Sequence, residues 1–308
     1  MKKYKIKQKE LEQAILNKNS KFSKEELDFI KSLNLNYYKL SLEERDKILY
    51  TIVKRIIEKD FWVSGKNKIS VWNKGWKENL NLYLKSNNKY YLRPKFLKKY
   101  PLRWHNDWIN PISKNFEFDL FDIYRRNKFN KYFKSLDNIY EFGCGSAQHL
   151  ILLSEMFKAK QIYGLDWSNF SIKIINQINK FNKKSILPKK FNLYKPDYDF
   201  KIQSKSAVFT VGTMEQLGKN YQPFLKYLIK NKPSVVLHFE TIDNFYDQST
   251  LLGYLGHRWD KERNYLSGYY DTLLKLKKNK KIKILEIKKF PLGSMYHNSY
   301  SLIVWRPI

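Results

Sequence analysis

Two groups of residues in this 308-residue chain have the types and spacing to do chemistry. The first is the segment IYEFGCGSAQHLILL, where a short strand ends in Glu141, a glycine turn follows and a helix begins. Gly143 and Gly145 carry no side chain, so the backbone can turn tightly and a nucleotide-like ligand can approach the N–H groups at the helix start. A dinucleotide fingerprint needs a third glycine at position 148, and Gln148 stands there, which sets the NAD reading aside. The next strand ends in YGLDWS and places Asp166 23 residues after Gly143, where a carboxylate can accept both hydroxyls of a ribose. The second group could move a proton. His238 and Glu240 end the strand in VVLHFETI, His257 and Arg258 lie in LGYLGHRWDKERNYLSGYY, and His297 sits beside Tyr296 in PLGSMYHN. Histidine is the usual proton acceptor near neutral pH, and a strand-end position favours His238, although the choice among the three stays open. His149, just inside the first helix, reads as a support for the glycine loop.

These residues need an alternating scaffold. From about residue 136 the pattern predicts strands over 138–142, 161–165, 190–194, 207–211, 234–239, 281–289 and 299–305, with helices over 148–157, 169–179, 221–230 and 249–277. The expected fold is α/β: a seven-stranded, mostly parallel doubly wound sheet with a C-terminal antiparallel hairpin through PLGSMYHN. A helical and aromatic-rich N-terminal extension precedes it. Ser23 with Glu26, and Ser41 with Glu44, match the Ser-x-x-Glu capping box, and Leu42, Leu49, Ile52, Val53, Ile56 and Ile57 then mark an amphipathic helix to about Lys59. Five of the eight tryptophans follow, at Trp62, Trp72, Trp76, Trp104 and Trp108, either filling a small core or stacking on a ligand. Arg93, Arg103 and His105 lie among them and could face an anionic substrate. The reading divides the chain into an accessory region over 1–115, a candidate cap, and a catalytic domain over 116–308.

The glycine segment resembles motif I of the class I S-adenosylmethionine-dependent methyltransferases, an acidic residue followed by Gly-x-Gly-x-Gly, here Glu141, Gly143, Gly145 and Ala147. The resemblance implies S-adenosylmethionine as cofactor, with S-adenosylhomocysteine as its product. It implies that Glu141, Gly143, Cys144 and Gly145 form the cofactor loop, that Asp166 binds the ribose and that Trp167 lies against the adenine. It also puts Asn192 or Asp197 at the adenine amino group, and Gly212 and Thr213 of FTVGTMEQLG beside the cofactor. That segment is similar to the family's Gly-x-x-Glu-His, with Gln216 in place of His. The implied activity is methyl transfer to oxygen or nitrogen of a small molecule, such as a sugar or a surface-polysaccharide precursor, with His238, Glu240, His257 and His297 as catalytic candidates. The alternatives are an RNA or protein methyltransferase and a non-catalytic cofactor-binding protein. Against the first of these, VGTMEQL is not the Asn/Asp-Pro-Pro-Tyr/Phe motif of enzymes that methylate exocyclic amino groups of bases, and no OB or KH pattern is evident.

Composition bounds the partners. Basic residues number 59 against 29 acidic ones, a formal net charge of +30, which suits a phosphate-rich partner. Fifty of the basic residues are Lys and nine are Arg, whereas base and phosphate recognition favours the guanidinium. Lys is enriched with Asn, Ile, Tyr and Phe, residues of A/T-rich codons, so genome composition accounts for the charge without nucleic acid. One cysteine, Cys144, excludes an intrachain disulfide or a site of several thiolates, and no metal site is expected. No apolar run approaches the length of a membrane span and the basic opening lacks a cleavage site, so a cytoplasmic location is expected.

Overall fold

The computed structural model describes residues 2–94, 97 and 100–308. In chain order its elements are β1 (Lys3–Lys5), α1 (Gln8–Ile15), α2 (Lys24–Ser32), β2 (Asn36–Lys39), α3 (Leu42–Glu58), α4 (Ile69–Ser86), β3 (Leu102–Trp104), β4 (Asp107–Pro111), α5 (Phe116–Phe133), β5 (Asn138–Phe142) and α6 (Gln148–Met156). There follow β6 (Gln161–Asp166), α7 (Asn169–Asn182), β7 (Leu187–Lys190), β8 (Ser206–Val211), α8 (Gln222–Asn231), β9 (Val235–Glu240), α9 (Leu251–Glu262), α10 (Tyr269–Lys278), β10 (Ile282–Lys288), β11 (Leu292–Gly293) and β12 (Ser301–Pro307).

The larger sheet has seven strands in the order β10-β12-β9-β8-β5-β6-β7. Strands β7, β6, β5, β8 and β9 are parallel, while β12 runs antiparallel to β9 and β10 antiparallel to β12. This is the expected doubly wound sheet with its closing antiparallel pair. Its central strands are buried on both faces, as all of β5 and β9 show, because helices cover each side and every side chain meets protein. The order steps from β5 to β6 on one side and to β8 on the other, so the chain leaves the sheet centre in both directions. A crevice must open there at the carboxyl ends of the strands.

The N-terminal part holds a sheet the sequence did not announce. Strands β1, β2, β4, β3 and β11 form it, all paired antiparallel, and β11 comes from the far end of the chain. Its strands have two to five residues, too short to leave an alternating pattern. Both capping boxes are formed, with Ser23 and Ser41 accepting from the N–H groups of Glu26 and Glu44. In α3, however, Leu42 and Ile57 are 80% and 73% exposed, and Ile48 and Ile52 carry the buried face.

Two elements differ from expectation. The third strand is Leu187–Lys190 and not 190–194, because Phe191 donates to the Asp166 carbonyl and the chain then turns on the Asn192 side chain, which accepts from Tyr194 N–H. Phe191 and Leu193 are buried from this loop, so their alternation marks burial without a strand. The long helix expected over 249–277 is two helices, interrupted where Asn264 and Gly268 take left-handed backbone with φ of 54° and 73°.

Helix α5 is packed on several sides, and one hydrophobic cluster runs through it from Ile6 to Val304. It also carries charge inward. Lys128 Nζ donates to Glu286 Oε1 on β10 and to the Ile15 carbonyl, both across the core, while Lys131 and Tyr132 bond the other Glu286 oxygen. Removing one partner of a buried pair leaves an uncompensated charge. Lys128→Met should therefore lower unfolding stability by about 3 kcal/mol, the low end of that class since Glu286 keeps two partners, as read from urea midpoints.

Candidate functional site

A cavity of about 570 Å³ lies at the carboxyl ends of the parallel strands. Its floor is the glycine loop. Gly143 and Gly145 have φ of +75° and +53°, and a Cβ on Gly143 would fall 2.2 Å from Thr213, while one on Gly145 would fall 2.7 Å from Trp76. The loop is clamped from β6: Gly143 and Cys144 N–H donate to the Leu165 carbonyl, and Gly145 N–H donates to Asp166 Oδ2 at 2.8 Å. The other Asp166 oxygen accepts from Ser168 N–H at 2.7 Å. Burial pushes the Asp166 pKa up to about 6, and the N–H groups of Ser168 and Gly145 hold it from going further.

Of the cofactor residues expected from the sequence, Gly143, Cys144, Gly145, Asp166, Trp167, Gly212 and Thr213 line the cavity. Trp167 faces Tyr194 with ring centroids 5.9 Å apart, and Leu193, Tyr194 and Leu217 complete that end. Glu141 does not reach the lining. It is buried behind the loop with Oε1 2.5 Å from His149 Nδ1, and His149 is the residue of the two that lines the cavity. His149 Nε2, Gln148 Oε1 and Glu141 Oε2 are buried with no protein partner. Asn192 and Asp197, expected at the adenine, do not line the cavity either. Asn192 is exposed and spends its side chain on its own turn, and Asp197 is held outside by Lys189 at 3.4 Å.

The histidines divide sharply. His238 is fully buried with Nδ1 2.8 Å from Thr210 Oγ1 and Nε2 2.8 Å from the Tyr269 hydroxyl, and burial drops its pKa to about 3. Strand alternation turns it to the sheet face away from the cavity, so it is a satisfied core histidine and not the base that its strand-end position suggested. His257 also lies off the cavity, its ring against Tyr246 at 6.2 Å, because the helical period carries Trp259 and Arg263 inward instead. His297 does line the cavity, with Nδ1 3.1 Å from Asp260 Oδ1 and 3.2 Å from Thr241 Oγ1. Arg103, read as a substrate contact, is buried and donates to the carbonyls of Leu252 and Tyr296 at 2.7 Å each.

Carboxyl groups dominate the polar wall. Glu240 lines it and accepts from the Thr210 hydroxyl and from the N–H groups of Thr213 and Glu215. Glu215 and Glu117 line it too, and neither was singled out. Glu215 was legible as the acid of VGTMEQLG, whereas Glu117 on the first turn of α5 carries no sequence signal. Burial pushes all three carboxyls to about 7, with the neighbouring Glu240 adding to the rise at Glu215 and the hydroxyls of Tyr300 and Tyr100 restraining it at Glu117. The remaining wall is aromatic. Trp72 stacks on Trp76 at 5.6 Å, Trp259 on Tyr296 at 4.1 Å and Phe121 on Tyr300 at 4.1 Å. The N-terminal helices hold this wall in place, with Asn73 accepting from the Ser168 hydroxyl and Ser64 donating to Gln216.

A carboxyl whose folded pKa lies above its usual 4.5 favours folding while protonated, and that contribution is lost as pH rises toward about 7. Glu117→Gln keeps the shape and cannot ionise. The variant should match the wild type near pH 4 and exceed its stability at about pH 8 by about 3 kcal/mol, measured by denaturation at both pH values.

No protein-family model matches the sequence, and no curated protein matches it. Solved structures similar to it include a SAM dependent methyltransferase from Aquifex aeolicus, at 14% identity over 59% of this chain and 89% of that one, with a TM-score of 0.41. The methyltransferase domain of bacterial CtHen1-C gives 17%, 59%, 96% and 0.43, and the N-terminal domain of EvdMO1 in the presence of SAH and D-fucose gives 14%, 60%, 82% and 0.42. The methyltransferase resemblance of this chain rests on its own sheet order, glycine loop and strand-end acid.

Proposed function

We propose that the protein is an S-adenosylmethionine-dependent methyltransferase acting on oxygen or nitrogen of a small molecule. The observation that carries this reading is the clamp of Asp166 on Gly145 N–H at the floor of a cavity at the strand ends, where the glycine loop has no room for a Cβ. The residues fit the cofactor. Asp166 keeps lone pairs for ribose hydroxyls, Trp167 and Tyr194 offer faces to an adenine, and Gln148 and His149 bring buried, unpartnered polar atoms to the helix start for the amino-acid end. Bound there, the cofactor supplies an electrophilic methyl group on a sulfonium. The chain's part is alignment, exclusion of water by Trp62, Trp72 and Trp76, and removal of a proton from the acceptor. Glu240 and His297 are the expected catalytic residues that reach the cavity, and Glu215 joins them as a proton acceptor.

The acceptor is a metabolite because the cavity is walled by rings and roofed by the N-terminal region, a shape that suits a small molecule more than a polymer. A cytoplasmic location is part of the same reading. Calorimetric titration should give micromolar binding of S-adenosylmethionine and S-adenosylhomocysteine and none of NAD or ATP. Asp166→Ala should weaken the first two by about tenfold or more, since the loop and the ribose lose the same carboxylate. Absence of binding by both, or unchanged affinity in the variant, would remove the reading.

A further inference from the structure

Resting on the methyltransferase reading, we infer that the acceptor half of the cavity, walled by Glu117, Glu215, Glu240, Trp259, Tyr296 and Tyr300, binds a protonated amine. The first ground is an inversion of charge. In a chain of net charge +30 the cavity is lined by Glu78, Glu117, Asp166, Glu215 and Glu240, and among the described residues no lysine reaches it. Its one guanidinium, Arg263, lies against the rings of Trp62 and Tyr265 at 4.6 Å each. Among the described residues an anionic acceptor would meet the carboxyls of Glu117, Glu215 and Glu240 with Arg263 as the guanidinium to answer them.

The second ground is the relation of the two acids on adjoining strand ends. Glu240 takes the backbone N–H of Glu215 on one oxygen and that of Thr213 on the other, which fixes both acids on the same rim. Glu240 makes ionisation of Glu215 harder, so the two carboxyls resist ionising together, and a cation between them and the aromatic wall relieves that conflict directly. A neutral polyol can accept or donate hydrogen bonds there but leaves the charge uncompensated. An ammonium also gives the site its chemistry: one N–H proton passes to a carboxylate, leaving the neutral amine with its lone pair and the carboxyl protonated.

The third ground is the wall itself. Trp259 and Tyr296 stack at 4.1 Å and already face a cation on the side of Arg55, whose guanidinium carbon lies 5.3 and 5.1 Å from their centroids. Aromatic faces grouped with carboxylates are the usual receptor for alkylammonium groups, because the ring quadrupole and the carboxylate both favour positive charge where water is excluded.

The test is a competition of shape-matched probes on the complete chain saturated with S-adenosylhomocysteine. Benzylamine should bind at least about tenfold more tightly than benzyl alcohol or benzoate in calorimetry at about pH 8. Glu215→Gln, checked by thermal melting, should erase that preference and leave the affinity for S-adenosylhomocysteine unchanged. Equal binding of the alcohol, or tighter binding of benzoate, by a protein that does bind S-adenosylhomocysteine overturns the amine assignment and leaves the methyltransferase reading standing. Failure to bind S-adenosylhomocysteine at all overturns both. The wild-type comparison of the three probes decides the matter even if the variant does not fold.

Discussion

The structure depends on a turn with no space in it. Between β5 and α6 the chain must reverse tightly enough to put N–H groups at the cavity floor, and it is confined by Thr213 on one side and Trp76 on the other. Gly143 and Gly145 answer the steric demand, and their positive φ values answer the conformational one. Leu165 and Asp166 at the end of β6 then supply the acceptors that hold the loop. The parallel register of β5 on β6, pairing Phe142 with Leu165, brings those acceptors to the loop. An error of one residue in that register would turn Asp166 to the other face of the sheet.

The same economy explains how a strongly basic chain makes an acidic cavity. Among the described residues Lys128 is the one buried lysine, and Glu240 and Glu117 enter the cavity wall where N–H and hydroxyl donors are already present. Glu240 has one hydroxyl and two backbone N–H donors, and Glu117 has two tyrosine hydroxyls. Burial still raises their pKa values, so these donors make the acids tolerable without making them fully ionised. Such poised carboxyls can accept a proton near neutral pH, the property a general base needs.

What the sequence made legible follows a physical rule. Strands β5, β6, β8 and β9 are short, largely apolar segments with turn signals at their ends, and the expected boundaries fall within one residue of the observed ones. Gly143, Gly145 and Asp166 were legible because backbone demands restrict residue type. Strand β7 was misread because a buried loop can alternate as a strand does. His238 was misjudged for a related reason: the end of a strand fixes depth in the sheet, but parity fixes the face, and Glu240, which shares that parity, lines the cavity from the last position of β9. Glu117 and strand β3 were invisible because a partner of each, Tyr300 and β11, lies nearly two hundred residues away in the chain.

The acceptor wall has its own organising group. Arg103, on β3 of the N-terminal sheet, donates to the Leu252 carbonyl on α9 and to the carbonyls of Tyr296 and Met295 in the loop before β12. Trp108 on β4 adds a second bond to the Met295 carbonyl. Those two segments carry Trp259, Tyr296 and His297, so a buried guanidinium fixes the spacing of side chains it never touches in the cavity. Burial lowers the Arg103 pKa to about 10, while Tyr246 and Asp260 oppose the fall, and the group therefore stays charged at neutral pH. A planar donor fork that remains ionised gathers these carbonyls in a fixed geometry. The N-terminal region is in this way bonded to the acceptor wall as well as covering it, and its geometry is part of the site's geometry.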